Sequence, residues 1–205
     1  MNKSIDETRA ILIGGSSHTG KSTLGRALSA KLGWSYLATD RLARHPGRPW
    51  VGINGQAIPA HVVEHYRDLS AEALLLDVLS HYAKNVLPQV EWIVCDDRLT
   101  DRSTTACFVL EGSALWPRFM ANLVNDNNRV QAVWLTAGEQ LFRTRIFTES
   151  NFDRVSKEEQ HLIQKFLDRT LHYDRLMRAE IDRLGLMCID VESISTADEL
   201  FQIYL

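Results

Sequence analysis

Residues Gly15 to Ser22 read Gly-Ser-Ser-His-Thr-Gly-Lys-Ser and fit the spacing G-x-x-x-x-G-K-[ST]. That spacing suits phosphate. A glycine-bounded loop lets successive backbone N–H groups point inwards around an anion, the lysine can reach the β/γ-phosphates of a nucleotide, and the hydroxyl after it can bind Mg²⁺. The candidate cradle is Gly15, Ser16, Ser17, His18, Thr19, Gly20, Lys21, Ser22 and Thr23, with His18 contributing its backbone N–H rather than its ring. Further on stand an acid, Asp40, and a basic cluster, Arg41, Arg44, His45 and Arg48. A guanidinium fork matches carboxylate or phosphate oxygens, so this cluster hints at an anionic small molecule. The other histidines (His61, His65, His81, His161, His172) set out no metal-ligand pattern; His61 and His65 could share a helical face but lack a third candidate.

These groups need a scaffold. The apolar run Ala10-Ile11-Leu12-Ile13 before the loop reads as a strand over Arg9–Gly14, and Lys21 to Leu32 as an amphipathic helix stopped by Gly33. Trp34–Ala38 reads as a second strand that delivers Thr39-Asp40. Pro and Gly punctuate residues 41–50, a loop, and Pro59–Asp68 suits a short helix. Ser70 can cap the next helix, which carries Ala73, Leu74, Leu76, Val78 and Leu79. Arg129–Leu135 reads as a strand leading to a helix through Arg143 and Arg145. A polar segment, Phe147–Glu159, precedes a long helix to Leu184, then Leu186–Val191 as a strand and Thr196–Tyr204 as a closing helix.

Val86–Thr100 admits two readings. Trp92-Ile93-Val94-Cys95 before Asp96-Asp97 could be a strand ending in a rival Mg²⁺ site, yet the apolar spacing fits a helix. Ala106–Leu110 is the stronger strand, ending at Glu111-Gly112. A parallel crossover needs a dozen or more residues, more than the gap between the two candidates offers, so Val86–Leu99 is read as helix and Cys107–Leu110 as strand. Five strands alternating with helices imply a parallel sheet with right-handed crossovers.

The chain has 205 residues, enough for one α/β domain, and its 45% apolar and 24% charged content are ordinary for a globular protein. A net charge of −3 gives no general attraction to nucleic acid or anionic membrane. Cys95, Cys107 and Cys188 are odd in number and form no C-x-x-C pair, which argues against a zinc site and a disulfide framework and favours a reducing, cytoplasmic setting. The start of the chain has no signal-peptide h-region, and no apolar run reaches transmembrane length.

With the phosphate loop, Asp40 after the second strand, Glu111-Gly112 after the third and the later arginines in this order, the chain resembles the small-molecule kinases of the nucleoside-monophosphate-kinase group. That group includes shikimate and gluconate kinases, chloramphenicol phosphotransferase, 2-phosphoglycerate kinase and zeta-type toxins. The resemblance implies a three-layer α/β P-loop NTPase fold, with a sheet of order 2-3-1-4-5, helices on both faces and a small lid. It implies a single domain over residues 1–205, an acceptor-binding insert at 41–69 and a lid at 146–160. It implies ATP and Mg²⁺, with Ser22 and, through water, Glu111 on the metal. Lys21, Asp40, Arg154 and Arg169 would be catalytic, and Arg143 would stack on adenine. Asp40, Arg41, Arg44, Arg48 and Gly112 would meet the acceptor. The expected partner is that small molecule, with no nucleic acid and no membrane, in a monomer or homodimer. A nucleotide-dependent switch without a small-molecule acceptor is the rival reading, against which no Asn-Lys-x-Asp motif is present.

Overall fold

The computed structural model describes residues 5–43, 45–51, 55, 57–95 and 107–193. Arg44, Asp96, Asp97 and the expected helix Thr196–Tyr204 lie outside them.

Strands β1 (Ala10–Gly15), β2 (Ser35–Ala38), β3 (Phe108–Glu111), β4 (Val130–Thr136) and β5 (Cys188–Asp190) form one sheet in the order β2-β3-β1-β4-β5, every neighbouring pair parallel. The expected topology is therefore present. Its cause is legible in β1, where all six residues are buried, as a central parallel strand requires. Alternation then sorts the side chains. Ala10 and Leu12, with Phe108, Leu110, Val130 and Trp134, enter one core layer, and Ile11 and Ile13, with Val109, Val133 and Leu135, enter the other.

Helix α1 (Lys21–Leu32) covers the second layer with Leu24 and Leu28. The first layer is covered by α3 (Ala71–His81), α4 (Leu87–Cys95), α5 (Pro117–Asn125) and α7 (Lys157–Leu184), through Leu75, Val90, Met120 and Met177 among others. The helical reading of the ambiguous segment holds as far as Cys95, beyond which it lies outside the described residues, with one refinement: a π-helical stretch, Tyr82–Val86, joins α3 to α4. A third apolar cluster draws on α2 (Ala60–Asp68), α6 (Glu139–Ser150) and α7, with Tyr66, Phe142, Ile146, Phe166 and Trp50.

The segment Phe147–Glu159, expected to be polar, is largely regular. Helix α6 continues to Ser150, Asn151 closes it in the left-handed region (φ 52°), and a 3₁₀ turn covers Phe152–Arg154. The rings of Phe147 and Phe152 stack at 3.9 Å and 6°, and Ser156 with Glu159 forms a capping box for α7. Residues 146–160 thus run from the end of α6 through a 3₁₀ turn into the start of α7.

Gly14 illustrates how closely the layers meet. A Cβ there would run into the Trp134 indole and lie 2.9 Å from the Leu115 carbonyl oxygen. Trp134 cannot retreat, being fully buried and donating from Nε1 to that oxygen at 2.7 Å. Gly14→Ala is expected to lower stability by about 1–3 kcal/mol, read as a fall in Tm in thermal unfolding.

Candidate active site

The strand ends converge on a cavity of about 490 Å³, within the usual range for small-molecule sites. Its wall includes Ser17, His18, Gly20, Lys21, Ser22 and Thr23 from the loop, Thr39 and Asp40 after β2, and Glu111 and Gly112 after β3. His45 and Arg48 from the loop after Asp40, Tyr82 just past α3, Glu149 from α6, and Phe166 with Arg169 from α7 also line it.

Folding alone organises the loop. Thr19 Oγ1 donates to the Ser16 carbonyl at 2.9 Å, and Ser16 Oγ donates to the Thr170 carbonyl at 3.1 Å, tying the loop to α7. Lys21 is buried, and its Nζ donates to the Ser16 carbonyl at 2.6 Å. Burial pushes its pKa down to about 8 against the opposing pull of Glu111 and Asp40. A phosphate is the partner that suits such a buried ammonium.

Ser22 Oγ donates to Glu111 Oε1 at 3.0 Å, and Tyr36 OH donates to the same oxygen at 2.7 Å. A hydroxyl and a buried carboxylate meeting beside the phosphate loop form an oxygen donor pair suited to a hard cation such as Mg²⁺. The Thr39 hydroxyl lines the same cavity, is buried and has no hydrogen-bond partner. Its close approach explains Gly112, at φ 154°: a Cβ there would collide with Thr39 Oγ1.

His18 has a further place in the wall. Its backbone is left-handed (φ 66°), and its buried ring packs against Trp50 and Phe166, with centroids at 6.0 and 5.8 Å. Its Nε2 is 2.9 Å from Glu149 Oε2, whose other oxygen meets Arg48. Burial first, then Arg48, Lys21, Arg145 and Arg169, push the ring's pKa down to about 3. The neutral ring is a spacer in the wall, linking the loop through Glu149 to the 41–48 stretch. Arg145 adds a second tie, donating from Nη1 to the His18 carbonyl at 2.6 Å.

Of the expected arginines, Arg48 and Arg169 reach the cavity and Arg41, Arg143 and Arg154 do not. Arg143 is held by Glu139 at 3.0 Å, one turn away, and lies over the Phe147 ring. Arg154 sits exposed in the 3₁₀ turn, and Arg41 is exposed after Asp40. Arg169 is buried. Its Nη1 donates to Tyr66 OH at 2.7 Å, and its guanidinium lies 4.5 Å from the Phe166 centroid. No carboxylate among the described residues is within ion-pair distance of it. Sequence reasoning missed Glu149, Tyr36 and Tyr82, whose places depend on contacts across the fold and leave no local signal.

No protein-family model matches the chain, and no curated protein sequence matches it at a significant level. Among solved structures, it is similar to a gluconokinase from Sinorhizobium meliloti 1021, with TM-score 0.52 and 17% identity over 96% of this chain and 89% of that one. It is also similar to a shikimate kinase from Aquifex aeolicus vf5, with TM-score 0.49 and 15% identity over 95% of this chain and 92% of that one. The first likeness shows the fold alone: a five-stranded parallel sheet in the order 2-3-1-4-5 with helices on both faces. Among the described residues, no helix is long and apolar enough to cross a membrane.

Proposed function

We propose that this protein is an ATP- and Mg²⁺-dependent phosphotransferase that moves the γ-phosphoryl group to a hydroxyl of a small anionic metabolite. One observation carries the reading. A buried, acid-free guanidinium, Arg169, shares a cavity with the phosphate loop on one side and the Asp40 carboxylate on another. The free thiols of Cys95, Cys107 and Cys188 suit a cytoplasmic enzyme.

When bound, ATP supplies the γ-phosphoryl group, and Mg²⁺, held by Ser22 and through water by Glu111, neutralises charge on it. Lys21 and the loop N–H groups stabilise negative charge on the β/γ-phosphate oxygens. Asp40 orients the acceptor hydroxyl and takes its proton. Arg169 meets the equatorial oxygens of the group in flight, its plane fixed by Phe166 and Tyr66. Arg48, on the acceptor-side stretch, faces the acceptor's anionic group. The expected 146–160 lid and Arg143 at adenine belong to this same reading.

A panel of sugar acids, phosphorylated metabolites, nucleosides and nucleotide sugars, assayed for ADP release above the acceptor-free rate, tests it. One panel member is expected to raise the rate, and Asp40→Asn is expected to lower that gain by about 10²-fold. Acceptor-independent hydrolysis across the whole panel would move the protein to the switch class.

A further inference from the structure

At the edge of the cavity, where His45 joins its wall, the fold gathers four groups that lie far apart in sequence. His45 comes from the acceptor-side loop, His65 from α2, and Asp77 and His81 from one face of α3. His45 Nε2 is 3.3 Å and His65 Nε2 3.6 Å from the same oxygen, Asp77 Oδ2. One ligand atom from each of these three residues lies within 4.8 Å of the other two. The His81 ring is beside them, its centroid 5.0 Å from that of His45.

The hydrogen bonding leaves these atoms short of partners. His45 Nδ1 is 2.8 Å from the Pro46 carbonyl, which can only accept, so Nδ1 carries a proton and Nε2 is the ring nitrogen turned to Asp77 Oδ2. Positive charge belongs between that nitrogen and the carboxylate oxygen, as a shared proton when no ion is bound. His65 Nε2 and His81 Nε2 are both buried without a hydrogen-bond partner. A backbone carbonyl on the far nitrogen is also the usual second-shell arrangement of a metal-bound histidine.

We propose that His45, His65 and Asp77 bind one zinc-class divalent cation, with His81 facing the fourth position. The distances fit. Ligand atoms about 2.0–2.1 Å from a tetrahedral zinc stand about 3.3–3.4 Å apart, and the two observed separations are 3.3 and 3.6 Å. Imidazole with carboxylate suits zinc better than Mg²⁺. The two imidazoles are mostly buried, and the Asp77 side chain is half-exposed, which gives the ion a way in. The sequence could not disclose this site. His61 and His65, four apart, are the pair it suggests, whereas the true neighbours of His65 come from α3 and a loop. The cation would clamp that loop, with Pro46, Gly47 and Arg48 in the cavity wall, against α2 and α3. The site stands independently of the kinase reading.

Chelator-treated protein titrated with Zn²⁺, and separately with Co²⁺, decides the matter. The expected result is one Zn²⁺ retained per chain after gel filtration, a Tm that rises with Zn²⁺, and visible Co²⁺ bands of four-coordinate intensity. Asp77→Asn and His65→Gln should each weaken Zn²⁺ binding by at least about 100-fold with unchanged circular dichroism. His61→Ala and Lys21→Ala should bind as the parent does, which separates this site from the nucleotide site. Substoichiometric Zn²⁺ in the parent protein, or unaltered binding in Asp77→Asn, overturns the proposal. If His65→Gln misfolds, Asp77→Asn alone decides, because its side chain is half-exposed and its removal leaves no cavity.

Discussion

Lys21→Met is expected to lower acceptor-dependent ADP release by at least about 10³-fold while making the nucleotide-free protein more stable. The activity loss follows from position. In the proposed function Lys21 is the cation that meets the phosphates, and removing one such preorganised group costs about 10²–10³ in rate before any loss of nucleotide affinity is added. The stability gain follows from burial. Holding the ammonium out of water depresses its pKa from 10.5 to about 8, which at about 1.4 kcal/mol per unit is a cost on the order of 3 kcal/mol. Methionine keeps the apolar stem and removes the charge. The Ser16 carbonyl is not orphaned, because Thr19 Oγ1 still donates to it. The pH dependence fixes the cause. In the parent protein the folded pKa lies below the unfolded one, so between about pH 8 and 10.5 the unfolded chain binds more protons and stability rises with pH. The advantage of Lys21→Met should therefore be full below about pH 8 and fade across that window, measured as Tm by differential scanning calorimetry. Turnover within tenfold of the parent would remove Lys21, and phosphoryl transfer at this loop, from the mechanism.

Legibility from sequence followed the range of the interactions. The phosphate loop, α1 and β1 are local: glycine spacing, an apolar run and helical periodicity act within about twenty residues. The long helix was equally visible, since its buried Leu162, Ile163, Phe166, Leu167, Tyr173 and Met177 recur at helical spacing. Val86–Leu99 was resolved by a topological argument about crossover length, which outweighed the strand-like Trp92-Ile93-Val94-Cys95. Sequence is silent where side chains act across the fold. Phe147–Glu159 looked polar because the stacking of Phe147 on Phe152 and the packing of Ile146 depend on partners that periodicity does not reveal. Sequence could nominate arginines but not orient them: Glu139 captures Arg143 on the helix surface, and nothing in the local pattern marks Arg169 as the inward one.

Arg169 is where the second large effect is expected. Arg169→Met should lower kcat/KM for phosphoryl transfer by about 10³-fold with no loss of Tm. A buried guanidinium with no carboxylate beside it is a net cost to the folded state, so neutralising it does not undermine the fold. The chain nevertheless invests in its orientation: Tyr66 OH takes one N–H at 2.7 Å, and the Phe166 and Tyr66 rings lie 4.5 and 5.6 Å from the guanidinium carbon. That arrangement leaves other N–H groups for the cavity and fixes their direction before the anion arrives, the preorganisation that a cis arginine supplies in phosphoryl transfer. Arg169→Lys should restore no more than a tenth of the parent activity, because an ammonium offers neither the planar fork nor the ring contacts. Arg154→Ala provides the contrast. Exposed in its 3₁₀ turn and away from the cavity, Arg154 should change kcat/KM by less than about threefold, as expected for a surface site. The reverse ranking, with Arg154→Ala more damaging than Arg169→Met, would place the transition-state cation on the turn between α6 and α7 and require that turn to close over the cavity during catalysis.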